Sequence, residues 1–302
     1  MKVSVIVPNY NHEKFLSERL FSVLNQTYID FEVIILDDNS QDNSKDIIER
    51  YRGHDKVSHI IYNKENSGST FKQWEKGINL AQGEWIWIAE SDDVASLSFL
   101  EEMMSVVLEQ PNVVIAQCAS IVIDENSNEG DVEKWAHAVT SRDWSQNYIS
   151  IGKDEVRDVL FCRNTIPNAS AVIFKKSLVS DELLNTIQNM RYAGDWLFWS
   201  EILALGDFYY VAKPFNYFRH HGATTRIKKN DKLEEKRFNE YFYILRHMKT
   251  KYNLDWNIGI HKWILDDYLS KINMYLLRQI AFIFPVKYCL YIYKVLISSK
   301  IR

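Results

Sequence analysis

The chain has 302 residues, 46% of them apolar and 25% charged, with a formal net charge of −4. That size supports one large domain or two smaller ones, and the negative balance excludes a general nucleic-acid binder. The three cysteines, Cys118, Cys162 and Cys289, are odd in number and lack metal spacing, which excludes a disulfide framework and suits reduced intracellular thiols.

In chain order, Val3–Val7 reads as a buried strand by its length and β-branching. It is too short for a secretory h-region, so no leader is expected and the location expected is cytoplasmic. Pro8-Asn9-Tyr10-Asn11 follows, then a helix with Leu16, Leu20, Val23 and Leu24 on one face. Phe31–Leu36 is a second strand, ending in Asp37-Asp38-Asn39-Ser40, and a helix with Ile47, Ile48 and Tyr51 comes next. Val57–Tyr62 is a third strand, ending in Asn63 and the turn Asn66-Ser67-Gly68. Phe71, Trp74, Ile78 and Ala81 mark another helix, with Gly83 expected at its C′ position. Trp85–Ala89 is the fourth strand and runs into Glu90-Ser91-Asp92-Asp93.

Alternation of this kind implies a parallel sheet with helices on its faces. Such sheets bind ligands outside the carboxyl ends of their strands, and every strand here empties into a polar cluster at that end. Three carboxylates at one strand tip repel one another unless a cation lies between them. A hard divalent ion that also takes phosphate oxygens is the usual remedy. The alternative is a solvated turn in which Asp93 or Ser96 caps the next helix.

Leu97 to Leu108 is expected as a helix, then Val113–Ala116 and Ser120–Ile123 as strands. Asp124 to Ser150 is polar and irregular, a long loop of the kind that often touches substrate. Ala171–Phe174 is a strand, Leu178 to Met190 a helix, and Gly194-Asp195 opens an aromatic helix. Phe208–Val211 and Phe215–Phe218 read as strands, the second running into Arg219-His220-His221. Trp196 and Trp199, like Trp135 and Trp144 in the loop, read as packing residues before sugar platforms. From Lys228 the pattern becomes helical, and Ile280 to Ile297 is interrupted by Pro285, Lys287 and Lys294. That last stretch is either a core helix or a peripheral membrane face.

The stretches Val3–Asn11, Ile35–Ser40, Ala81–Glu84 and Glu90–Asp93 together resemble family 2 glycosyltransferases of the GT-A fold, over roughly residues 1 to 225. The resemblance implies an α/β fold: a Rossmann-like, mostly parallel sheet flanked by helices, with a C-terminal helical appendage. Expected domains are 1–227, with a nucleotide-binding half to about 110 and an acceptor half beyond it, and 228–302. The implied reaction is inverting transfer from a nucleotide-diphosphate sugar, typically a UDP-sugar, to a hydroxyl of a glycan or lipid-linked acceptor, with Mn²⁺ or Mg²⁺ as cofactor. Pro8 and Tyr10 would line the nucleotide pocket and Asp38 would bond the base. Asp93 would be the main metal ligand, with Asp92 facing the ribose or metal. Glu90 departs from the family's usual Asp. Asp195 would be the catalytic base. Lys72 would bring positive charge to the donor, Arg219 would contact phosphate oxygens, His221 would ligate the metal, and Thr224 and Thr225 would add hydroxyl donors. Two rivals are a nucleotidylyltransferase, which would want a Gly-rich phosphate loop after the first strand, and a catalytically inactive sugar-nucleotide-binding scaffold.

Overall fold

Continuous apolar runs build the centre of the sheet. In the computed structural model, which describes residues 2–222, 231–255 and 258–271, strands β1 (Val3–Asn9) and β2 (Phe31–Asp37) are buried along their whole length. Parallel strands covered on both faces must be so. Helix α1 (Glu13–Leu24) connects them, and α2 (Ser44–Glu49) leads to β3 (Val57–Tyr62). Helix α3 (Thr70–Leu80) leads to β4 (Trp85–Ile88), which pairs parallel with β1. The short β5 (Val94–Ala95) precedes α4 (Phe99–Glu109) and β6 (Val113–Ile123). After β7 (Glu129–Val132), β8 (Tyr148–Ser150) and α5 (Gly152–Glu155) come β9 (Val172–Lys175), α6 (Asp181–Ile187), α7 (Gly194–Leu203) and β10 (Asp207–Arg219).

The sheet order is β3-β2-β1-β4-β9-β6-β10-β5. β9 runs antiparallel to both its neighbours, so the sheet is mostly but not wholly parallel. Trp87 stacks on Phe99 at 4.4 Å on one face. On the other, Trp74, Phe174, Phe198 and Trp199 form an edge-to-face aromatic cluster with centroids 5.0–5.7 Å apart. Trp196 and Trp199 are core residues, 1% and 0% exposed.

Several expected boundaries differ. Val113–Ala116 and Ser120–Ile123 are one strand, because Gln117 and Cys118 carry on the pairing to β9 and β10. Phe208–Val211 and Phe215–Phe218 are likewise one strand, β10. Pro214 is absorbed at a register shift, the place where a strand tolerates proline, and the Ala212 N–H donates to Asn147 Oδ1 at 2.8 Å. The expected helix over 178–190 is only α6, started by Ser180, whose Oγ accepts from the Leu183 N–H. Helix α4 starts late because Val94–Ala95 pairs with β10, and neither Asp93 nor Ser96 is its N-cap, which is Ser98. Gly83 is no left-handed C′ residue. A Cβ there would lie 2.5 Å from the Ser4 backbone nitrogen, so glycine is needed for close approach to β1. Residues 124–150 include β7, β8 and a single 3₁₀ turn.

By its internal contacts the chain divides into two units, residues 1–160 with 164–222 and residues 161–163 with 223–302. In the second, α8 (Asp231–Lys251) and α9 (Ile258–Lys271) bury Phe238, Phe242, Ile264 and Tyr268. Arg237 bridges Glu234 and Asp267. Thr224, Thr225 and the 280–297 stretch lie outside the described residues. Among the described residues, no helix is long and apolar enough to cross a membrane.

Candidate active site

The strand order reverses at β1, whose neighbours are β2 and β4. Open α/β sheets bind ligands at that switch point. Register aligns the rim, with Asn9 opposite Asp37 and Asp37 opposite Tyr62. Asn9 Nδ2 donates to Asp37 Oδ1 at 2.8 Å. The Asp38 carboxylate accepts from Asn63 Nδ2, from the Ser67 N–H and hydroxyl, and from Gln73 Nε2, at 2.5–3.0 Å. Three of these fall on Oδ1, so Oδ2 keeps room for one more donor. Pro8 is buried in β1, while Tyr10 presents a 43% exposed ring at that strand's end. Lys72 is exposed, and its Nζ donates to the Ser67 carbonyl at 3.1 Å.

Across the switch point, His12 after β1 meets the acid cluster after β4. His12 Nδ1 pairs with Ser91 Oγ at 2.8 Å, and His221 Nε2 pairs with Asp92 Oδ2 at 3.0 Å. One ligand atom from each of His12, Asp92 and His221 lies within 4.8 Å of the others. Phe15 packs both imidazoles, with centroids 6.0 Å from His12 and 4.8 Å from His221. Burial lowers the His12 pKa against the opposing charge of Asp92, which keeps the ring neutral and able to ligate. Burial pushes Asp92 upward, but the His221 hydrogen bond and the facing His12 outweigh it and hold the carboxyl below its usual range. Two imidazoles and one carboxylate fit a divalent transition ion better than Mg²⁺, which prefers an oxygen shell. His12 and Phe15 were not singled out from the sequence.

Asp93 is not brought into this group. Its Oδ1 accepts from the Arg219 N–H and its Oδ2 from Asn168 Nδ2, both at 2.9 Å, and it is 2% exposed. Burial, then repulsion from Asp92, raises its pKa to about 6. Glu90 accepts from Trp74 Nε1 at 3.0 Å, and burial followed by Asp92 pushes it up to about 8. Arg219 corrects the expectation of a phosphate contact. Its guanidinium donates to the Asp92 and Asp124 carbonyls, Ser127 Oγ and Glu18 Oε2 at 2.6–3.0 Å. It also lies 4.7 Å over the Phe15 ring, with its side chain 0% exposed. Four of its five N–H groups are used inward, so it ties the acid loop to α1 and the 124–127 turn.

Asp195 sits in the first turn of α7, whose N-cap is Ala193, so it is not the cap. Asn164 Nδ2 donates to Asp195 Oδ2 at 3.1 Å, while Asn164 Oδ1 accepts from the Ile166 N–H. That second bond fixes the amide orientation, since a backbone N–H can only donate. Asn164 and Asn168 thus hold Asp195 and Asp93 from one loop, whose span is at most about 14 Å when fully extended. From the other side, α3 offers Trp74 to Glu90, and its Phe71 ring packs on Gly194, where a Cβ would come within 2.8 Å. Neither asparagine carries a sequence signal, because both lie in an irregular segment.

The family model for glycosyl transferase family 2 matches residues 4–164. The chain belongs to glycosyl transferase family 2. It is an enzyme of that class, with the GT-A architecture. This glycosyltransferase is 28% identical to glycosyltransferase GlyG of Streptococcus pneumoniae over 91% of the chain and 84% of that protein. It is 27% identical to poly(ribitol-phosphate) β-N-acetylglucosaminyltransferase TarP of Staphylococcus aureus, over 72% of the chain and 62% of that protein. The structure of S. aureus TarS 1–349 in complex with UDP-GlcNAc superposes with a TM-score of 0.65 at 21% identity, covering 90% of this chain and 72% of that one.

Proposed function

We propose that this glycosyltransferase moves a sugar from a UDP-sugar to a hydroxyl of a surface glycan or lipid-linked acceptor, with inversion, using Asp195 as base. The observation that supports the reading is the Asn164–Asn168 loop, whose two amides donate to Asp195 and to Asp93 of the acid cluster. The UDP-GlcNAc bound by TarS and the polymer acceptor in the name of TarP support the substrate classes.

Asp195 takes the acceptor proton as the acceptor oxygen bonds to the anomeric carbon from the face opposite the diphosphate. The bond from that carbon to the diphosphate oxygen breaks, and its electron pair leaves with the nucleotide. The carboxylate also opposes the oxocarbenium charge of the transition state. Asn164 holds Oδ2 and orients the base. Asp38 Oδ2 accepts a base N–H beside the Tyr10 ring, and Lys72 lies at the same rim. His12, Asp92 and His221 would hold the ion, Mn²⁺ in preference to Mg²⁺, with Asp93 bracing the loop that presents Asp92. Such an ion, when bound, neutralises charge on the leaving diphosphate.

Asp195→Asn tests the reading. Donor affinity by calorimetry should stay as in the wild type, while transfer falls roughly 10²–10⁴-fold. Undiminished transfer would sink it.

A further inference from the structure

Arg19 of α1 is fully buried, and none of its three guanidinium nitrogens has a hydrogen-bond partner among the described residues. Burying an ion without acceptors is costly, and arginine is almost never fully buried unless paired. What receives this one is a ring face: its guanidinium carbon lies 5.0 Å from the Trp87 centroid. The ring is itself fixed, since its indole N–H donates to the Ser170 carbonyl at 2.8 Å. The Ser170 hydroxyl accepts from the Glu90 N–H at 3.1 Å, so Trp87 and the acid loop share one anchor. Helical spacing sets the arginine under that loop. Phe15, Arg19 and Ser22 stand a turn apart on the buried face of α1. Phe15 packs on His12 and His221, and Ser22 Oγ accepts from the Ala95 N–H at 3.3 Å. Burial pulls the Arg19 pKa down to about 10, against Asp93, Asp92 and Glu90, which favour its charged form in that order. The group is therefore a cation at neutral pH.

We infer that Arg19 is a fixed positive charge of the donor site, which opposes a bare divalent cation at His12, Asp92 and His221 and favours the anionic diphosphate of a nucleotide. This rests on the reading of those three residues as ligands of the ion. Two imidazoles ligating in neutral form and one carboxylate offer a cation a single negative charge, and the guanidinium beneath the loop offsets it. Buried among apolar and aromatic side chains, that charge is screened far less than a surface arginine would be. It acts through space, because no hydrogen bond joins it to the acid loop among the described residues. The same charge that weakens the hold on a bare ion strengthens the hold on a diphosphate. The role also accounts for an ion kept in the core without acceptors: a hydrogen bond to Glu90 or Asp93 would spend the charge on one carboxylate, whereas an unshared guanidinium biases the whole cluster.

The test removes the charge from the full chain and reads two ligands of opposite sign. Arg19→Met fills the space with an unbranched apolar side chain, and Arg19→Gln is a second neutral variant should the first fold poorly. Without nucleotide, Mn²⁺ affinity read by electron paramagnetic resonance should tighten about tenfold in the neutral variants. In chelator, UDP affinity read by calorimetry should weaken about tenfold. Arg19→Lys, which keeps the charge, should return both values toward the wild type. A loosened or distorted site weakens both ligands alike, so the opposite signs separate a field from a structural brace. Any result in which Mn²⁺ binding is not tightened, or UDP binding is not weakened, overturns the inference. Mn²⁺ affinity unaltered in His12→Ala would instead remove the ligand set on which it rests, so the two failures are told apart.

Discussion

The rim of β1 to β4 and the segment from 124 to 168 are positioned in opposite ways. On the rim, each polar residue follows a buried parallel strand, and register brings Asn9, Asp37 and Asp38 together. In the other segment, Trp135, Asn164 and Asn168 are placed by side-chain hydrogen bonds to groups far along the chain. The rim is positioned by its backbone ladder, whereas the second segment is positioned by a few polar contacts. On the proposed reading, substitutions on the rim should act on donor binding or on folding, and those in the second segment should act on acceptor use or turnover.

The largest contrast is expected from Asp195→Asn, already described, because it removes chemistry and spares the ladder. Arg219→Met comes next. Loss of a guanidinium that satisfies the Asp92 and Asp124 carbonyls and pairs with a half-exposed Glu18 should destabilise the protein by about 1–3 kcal/mol in urea titrations. A variant as stable as the wild type but deficient only in donor affinity would restore Arg219 as a phosphate contact. His12→Ala should weaken Mn²⁺ affinity, read by electron paramagnetic resonance, by roughly 10–100-fold, with little change in Tm in the presence of chelator. Unaltered Mn²⁺ affinity would remove His12 from the ligand set.

Glu90 adds a pH dependence, since its carboxyl is raised from 4.5 to about 8. The folded state holds that proton where the unfolded chain has lost it. Stability in chelator should therefore fall as pH rises from 4.5 to 8 and level off above. Glu90→Gln keeps the acceptor for Trp74 Nε1 and should flatten that fall. A Tm profile with the same slope in both proteins would rule out the assigned protonation.

Much of this enzyme was legible in one dimension. Four apolar runs of strand length, each closed by a polar cluster, imply a parallel sheet with its site at the carboxyl edge, and the structure has that edge. Asp38, Asp92 and His221 were named on that logic or on the family likeness, and each faces the rim or the His12 cluster. Within the four-residue acid stretch, the ranking of Asp93 over Asp92 could not be read. Adjacent residues on a turn point in different directions, and their partners, Asn168 and His221, lie 75 and 129 residues away.

What the sequence by itself determined is therefore the layer architecture and the edge at which the polar clusters gather, because both follow from the period and length of apolar runs. What only the tertiary structure decided is which carboxylate meets an imidazole, which arginine is consumed as a brace, and which asparagine holds Asp195. Those choices depend on hydrogen bonds between side chains distant in sequence, and such bonds leave no periodic trace in the residues that make them.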